Sequence, residues 1–566
     1  MMLLSTVSAL HLPERHTRVA QVPTVLCPVG DIEELGGNAS MSASPAPLTL
    51  ERTLVPGPVL RQGSVGPYRA VTAAAGEPHR VRTELAAAPL DDSLRDARPL
   101  LAFGHATDLQ LADVQSPGRF EFCNAHVDDP RFHSLVPMHR PQEALTARAA
   151  QAMVQTLNSL RTGPRTGADI ELVVTTGDAI DNAQWNELRM FLALFEGGFV
   201  RPGSGGPRYE GVQSPSWGDE GYWTPDGDGV SGSDWYQSGL GFPRLPGVLE
   251  RALAAFRSPG LRLPWLACFG NHEGLVQGVA LMTEPLRREL VGARKWAGSL
   301  DSLDVEVLED LFIRSPEAFL AGGQHAVTAD PDRRAVSRKE FVGAHFSAMS
   351  RPYGHGFTAE NRETGTAYYC HDVGSVRLIC LDTTNAAGAA AGCLDADQAR
   401  WLRDRLEEVH SSYITAEGRA VTTGRPDRLV VVFSHHGIDT MDNRRVLPDG
   451  ADGSRLVGRD DVMDLLHRFG NVVAWVNGHL HRNRITPRPD PMRRSGGFWE
   501  ITSAALMDWP CQTRLIELVD NGDASLSIVC TMVDHDGVLR PDPDLPWDGR
   551  WLAGLHRELA GNEPWR

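Results

Sequence analysis

The chain of 566 residues carries 55 basic and 72 acidic side chains, for a net charge of −17. That length buries an ample core, in one large domain with insertions or in two to four average ones. The acidic balance, with no basic run and with Lys295 and Lys339 as the only lysines, argues against nucleic acid as the main partner, and no apolar run reaches the ~18 residues of a membrane span.

The start, "MMLLSTVSALHLPERHTR", has a short apolar patch with no basic segment before it, so no signal peptide is read there and the default placement is cytoplasmic. Residues 1–40 are predicted to be disordered, and residues 41–98 to be an N-terminal extension with strands such as "RTLVPGPVLRQ". From residue 99 onward, short runs rich in Val, Ile and Leu predict buried strands. In chain order they are "PLLAFGHATD", "IELVVTTGD", "LPWLACFGNH", "VRLICLDT", "RLVVVFSHH" and "VVAWVNGH". Between them "QEALTARAAQAMVQTLNSL" (142–160) and "DADQARWLRDRLEEVH" (395–410) carry helical spacing, the second opening on acidic residues suited to a helix N-terminus. "GGFWEITSAA", "TRLIELVDN" and "SLSIVCTMV" read as three successive strands, an antiparallel addition that ends the core near residue 535. Residues 536–566 are left as a C-terminal tail.

Two long segments interrupt this α/β pattern. Residues 196–262 are dense in Gly, Pro and aromatics, and residues 275–365 mix helix and loop. Loops of such length are functional or disordered. Trp217, Tyr222, Trp223, Trp235 and Tyr236 need burial or a ligand, so they either pack the insertion onto the core or wall a substrate site. The eight cysteines form no Cys-x-x-Cys pair, and those inside apolar runs, such as Cys268 and Cys380, are expected to be buried thiols.

All six predicted strands end on or beside Asp, Asn or His: Asp108, Asp178, Asn271 with His272, His435 with His436, and His479 followed by His481, while "VRLICLDT" offers Asp382 without a partner. Ligands gather beyond the carboxyl ends of strands in helix-covered sheets, so one site built from five distant segments is expected. Side chains two apart on an extended backbone share a face, and His479 and His481 can converge on one point. A metal centre suits that point.

The ordered strings "TDLQ", "GDAIDN", "GNHE", "SHHG" and "GHLH" resemble the motifs of the calcineurin-like metallophosphoesterases, the superfamily of the purple acid phosphatases and many bacterial phosphodiesterases. The likeness covers residues 99 to about 535, and the long inserts are similar to those of an actinobacterial branch. The resemblance implies an α/β (α+β) fold, a four-layer α-β-β-α sandwich, around two metal ions (Mn, Fe or Zn). It places Asp178 as the bridging ligand, Asp108 and His481 at the first metal, Asn271, His435 and His479 at the second, and His272 as the acid. Two such cations lower the pKa of a bound water so that hydroxide forms near neutrality. The activity implied is hydrolysis of a small phosphomonoester or phosphodiester, the alternative being a non-catalytic metal-bound scaffold that binds phosphate or another protein.

One residue departs from the pattern. Many family members carry Asp-x-His in the first motif, where this chain has Asp108-Leu109-Gln110. Gln110 either ligates through its carbonyl, which favours an oxygen-loving ion, or leaves the first site weak. Asp181 either compensates as a ligand or hydrogen-bonds its neighbours. His436 is expected behind the ligands, His355 to be structural unless it reaches a substrate, Arg482 and Arg484 to pair with phosphate oxygens or stay in solvent, Asp382 and Thr383 to brace a loop, and Asn182 to support Asp178.

Overall fold

All six predicted runs become strands, divided between two sheets. The computed structural model describes residues 2–8, 48–86, 97–126, 136–227, 234–298, 305–447, 456–523 and 525–564. The first sheet comprises β1 (Met2–Ser8), β2 (His79–Arg82), β3 (Arg98–Ala106), β4 (Ile170–Thr175) and β5 (Trp265–Leu266). The second comprises β6 (Tyr369–Val373), β7 (Val376–Cys380), β8 (Leu429–Phe433), β9 (Val472–Asn477), β10 (Arg484–Arg488) and β11 (Phe498–Thr502). The chain then returns to the first sheet with β12 (Gln512–Asp520) and β13 (Ser525–Asp534). The strand orders are β2-β1-β13-β12-β3-β4-β5 and β6-β7-β8-β9-β11-β10.

Each sheet has a run of parallel strands: β3 with β4 and β4 with β5 at one end of the first, and β7, β8, β9 and β11 in succession through the middle of the second. Parallel strands are covered on both faces and read as continuous apolar runs; "LVVVF" of β8 and "VVAWVN" of β9 are buried at every position. Successive side chains of a strand point to opposite faces. Leu378 and Cys380 of β7, Val431 and Phe433 of β8 and Val476 of β9 therefore share one cluster with Phe103, Leu172 and Val174 of the first sheet. Ile379, Val430, Val432 and Trp475 join the opposite cluster, against Leu402 and Leu406 of α3 (Ala396–Glu407) and Val462, Leu465 and Leu466 of α4 (Arg459–His467). Two helices pack on the first sheet's cluster: α1 (Thr146–Ser159), through Met153, Val154 and Leu157, and α2 (Trp185–Glu196), through Leu188, Phe191 and Leu194. The fold is mixed α and β.

Three sequence expectations need correction. "GGFWEITSAA" does not join the two strands after it. It becomes β11, parallel to β9 in the second sheet, while β12 and β13 pair antiparallel in the first. Residues 536–566 are not a loose tail, because α5 (Gly549–Asn562) is buried there. Its Trp551, Leu552, Leu555 and Leu559 cluster with Trp223, Tyr236 and Phe242 of the aromatic insertion. Met2–Ser8, inside the stretch read as disordered, is β1, paired with β13 and β2; residues 9–40 lie outside the described residues.

The extension forms the expected strand at Arg52–Gln62, in a hairpin with Pro67–Ala75. The Tyr68 hydroxyl donates to Glu558 of α5 at 2.9 Å, tying that hairpin to the C-terminal helix. Among the insertion's aromatics, Tyr222, Trp223 and Tyr236 are buried, and Trp217 stacks on His325 at 3.8 Å. Packing, not disorder, explains the aromatic content. Cys268, Cys380, Cys511 and Cys530 are buried thiols. Among the described residues no helix is long and apolar enough to cross a membrane.

Candidate metal centre

The carboxyl ends of β3, β4, β5, β8 and β9 lead into one point. Just beyond them stand Asp108, Asp178, Asn271 with His272, His435, and His479 with His481. The backbone there is unusual. Asp108, Gln110, Asp178, His479 and His481 have φ of 51°, 45°, 50°, 66° and 52°, in a left-handed region that costs a non-glycine residue of order 1 kcal/mol or more and that clusters at functional sites. Hydrogen bonds between the motifs hold these conformations: Gln110 N–H donates to Asp178 O at 2.8 Å, and His479 N–H to the Asp108 carboxylate at 3.1 Å. Glycine is required beside them, since a Cβ on Gly270 would lie 2.2 Å from Asp178 Oδ1 and one on Gly478 2.3 Å from Asp108 Oδ2.

His435 Nε2 lies 3.1 Å from Asp178 Oδ2, His481 Nε2 lies 3.2 Å from Asp108 Oδ1, and His479 Nδ1 lies 3.2 Å from His435 Nε2. Asp108, Asp178 and His435 offer ligand atoms within 4.8 Å of one another, as do His435, His436 and His479. Burial alone pushes a carboxyl up, but His481 and His435 hold Asp108 well below the usual carboxylate range, and His272 and His435 do the same for Asp178. In return, against burial that lowers both, Asp178 draws His435 up to about 9 and Asp108 draws His481 up to about 10. Burial and the neighbouring His436 and His435 push His479 well down, which keeps it neutral.

The residues present fit a metal ion. Gln110 Oε1 and Asn271 Oδ1 are buried without a hydrogen-bond partner, and an unpaired buried carbonyl costs about 1–3 kcal/mol unless something else satisfies it. Asn271 spends its amide on Gln277 O at 3.1 Å, which leaves its oxygen for a cation. His435 Nδ1 donates to Thr176 O at 2.8 Å, which fixes the tautomer and turns Nε2 toward the carboxylates. Among the described residues neither Asp108 nor Asp178 contacts a lysine or arginine that would neutralise it.

The other candidates separate clearly. Gln110 Nε2 lies 3.1 Å from His481 Nε2 and 3.4 Å from His272 Nε2, so the amide stands between the two histidines. Asp181 stands behind His272: its Oδ1 is 3.2 Å from His272 Nδ1, and it also accepts from Arg119 and Gln277. His436 has both nitrogens occupied, Nδ1 with Thr383 at 2.9 Å and Nε2 with Ala390 O at 2.8 Å. His355 does not reach a substrate site; it is buried, stacked 3.5 Å over Trp265, with Nε2 on Glu196. Arg484 pairs with Asp439 at 3.0 Å, and Arg482 is exposed. Asp382 accepts from Arg338 and Thr384, the expected loop brace. Asn182 bonds Gly118 O and Val276 N–H and does not touch Asp178.

Three residues were missed. Glu273 of "GNHE" accepts from the N–H groups of Gly270, Asp178 and Ala179 and so binds two motifs together. Arg119 grips Asp181. Asp508 accepts from His481 Nδ1 at 2.6 Å. Only Glu273 had a signal, its place inside a motif.

No family model matches the chain, and no curated protein matches it. Among solved structures it is similar to a dimetal phosphatase from Danio rerio, with a TM-score of 0.32 and 11% identity over 77% of this chain and 100% of that one.

Proposed function

We propose that the chain is a metal-dependent phosphoric ester hydrolase of the calcineurin-like metallophosphoesterase type, its two sheets the inner layers of an α-β-β-α sandwich and its substrate a small phosphomonoester or phosphodiester. The observation that carries this reading is the convergence of Asp108, Asp178, Asn271, His435, His479 and His481 from five strand ends of two sheets. In it Asp178 would be shared by two cations, Asp108 and His481 would hold one, and Asn271, His435 and His479 would hold the other, with the Gln110 amide beside the first. Bound cations at such a site polarise the phosphoryl group and make water a nucleophile near neutral pH.

The chain's own residues supply orientation and a proton. His272 Nδ1 faces Asp181 at 3.2 Å and its Nε2 lies 3.6 Å from Asp178 Oδ2, so the ring is held from one side and its Nε2 proton is directed at the centre. Burial lowers the His272 pKa, but Asp178 and Asp181 raise it above its ordinary value, which favours the protonated ring. In that form the imidazole donates its Nε2 proton to the leaving oxygen as the ester bond breaks. The acidic surface, net −17, disfavours polyanionic substrates.

Hydrolysis of nitrophenyl phosphate and bis-nitrophenyl phosphate with added Mn²⁺ tests the proposal. Turnover is expected for the wild type, with a fall of about 10²- to 10⁴-fold in His272→Ala at unchanged metal content, and a smaller fall for better leaving groups. Absence of turnover, or a His272→Ala variant as active as wild type, would overturn it.

A further inference from the structure

Behind His481, on the side away from the centre, lies a chain of charged groups that the proposed chemistry does not use. His481 Nδ1 faces Asp508 Oδ2 at 2.6 Å, and Asp508 Oδ1 faces Arg140 Nε at 2.8 Å. Gln142 Nε2 reaches the same Oδ1 at 3.4 Å. The Asp508 and Arg140 side chains are 15% and 11% exposed, so this is not a solvated ion pair of the kind worth little. The loop that presents Asp508 is itself tied to the centre, since Met507 N–H donates to Asp108 O at 3.2 Å and Cys511 N–H closes the turn on Asp508 O at 2.7 Å.

We propose that Asp508, steadied by Arg140, is a positioning residue that fixes His481 for metal binding. The inference rests on the reading of the site as a metal centre and adds a residue to it. An ionised carboxylate accepting from Nδ1 keeps the proton on that nitrogen, so Nε2, which lies 3.2 Å from Asp108 Oδ1, is the nitrogen left to exchange its proton for a metal. The hydrogen bond also stops the ring from turning. His481 has a φ of 52°, a strained backbone conformation that persists only where the surrounding contacts hold it. Arg140 in turn opposes any turning of the carboxylate, with Gln142 on the same oxygen. The relay reaches only the first cation; His435, at the second, is fixed by the Thr176 carbonyl instead.

The test is calorimetric titration of metal-free protein with Mn²⁺, for wild type, Asp508→Ala, Asp508→Asn, His481→Ala and the double variant His481→Ala with Asp508→Ala. Asp508→Ala should bind at one site about 10- to 100-fold more weakly, the usual cost of removing such a support, with the other site unchanged. Asp508→Asn keeps an acceptor oxygen and loses the charge, so its loss should be smaller and at the same site. The double variant should bind as His481→Ala alone, because a residue that acts through His481 has nothing left to position. Should Asp508→Ala fail to fold, Asp508→Asn and Arg140→Gln carry the comparison. Wild-type affinity in Asp508→Ala, or in both conservative variants, would sink the relay and leave the metal centre standing. A fall of equal size at both sites, or an additive double variant, would mark Asp508 as a general structural support and also overturn the inference. A wild type that takes up no Mn²⁺ would remove the metal centre and the relay together.

Discussion

His435 and His436 are adjacent, both buried, and opposite in use. His435 has one nitrogen on a backbone carbonyl and the other 3.1 Å from Asp178, whereas both nitrogens of His436 are engaged by Thr383 and Ala390. Proximity alone would make His436 a ligand, since its atoms lie within 4.8 Å of those of His435 and His479; its hydrogen bonds argue against that. His436→Gln should therefore keep the full metal content while losing about 1–3 kcal/mol of stability through its broken bonds. Elemental analysis and a urea midpoint check the two halves, and loss of metal in this variant would show His436 to be a ligand. The motif residues were legible in sequence because each stands a fixed few positions past an apolar strand. Asp508, Arg140 and Arg119 were not, because a support behind a ligand is defined by a loop that arrives from elsewhere in the chain. The place of His355 was open for the same reason, as its glycine-rich surroundings say nothing of the Trp265 ring it stacks on.

At the scale of elements, alternation of apolar runs with helical spacing was enough for β3, β4, β5, β7, β8 and β9 and for α1 and α3. It was not enough to say which sheet a strand joins. "FWEIT" is buried at all five positions, and a strand covered on both faces looks the same in either sheet. The helix α5 was missed although Trp551, Leu552, Leu555 and Leu559 have helical spacing, because the proline-rich stretch before it reads as the end of the fold. Asp548 caps it, accepting from Trp551 N–H at 2.9 Å. The helix seals one side of α1 and the aromatic insertion, and Leu552 is fully buried there. Leu552→Ala should cost about 2–5 kcal/mol through lost burial and a cavity. A lower urea midpoint with metal content intact is the expected result; an unchanged midpoint would mean that α5 is only loosely docked.

For the whole molecule, the centre sits where two sheets meet. Asp108, Asp178 and Asn271 come from the strand ends of the first sheet, and His435, His479 and His481 from those of the second. Neither sheet brings all six candidate ligands, so the candidate metal centre depends on the packing of the shared core between Phe103, Val174, Phe433 and Val476. Asp178 is the residue on which the arrangement turns, because it touches His435 and His272 and its backbone is braced by Glu273. The most direct measurement is the metal content of purified wild-type and Asp178→Asn protein by elemental analysis after exposure to Mn²⁺. Two ions per chain are expected in the wild type, with loss of most of both in the variant and both proteins folded. A wild type that holds no metal, or an Asp178→Asn variant that keeps both ions, would contradict that expectation.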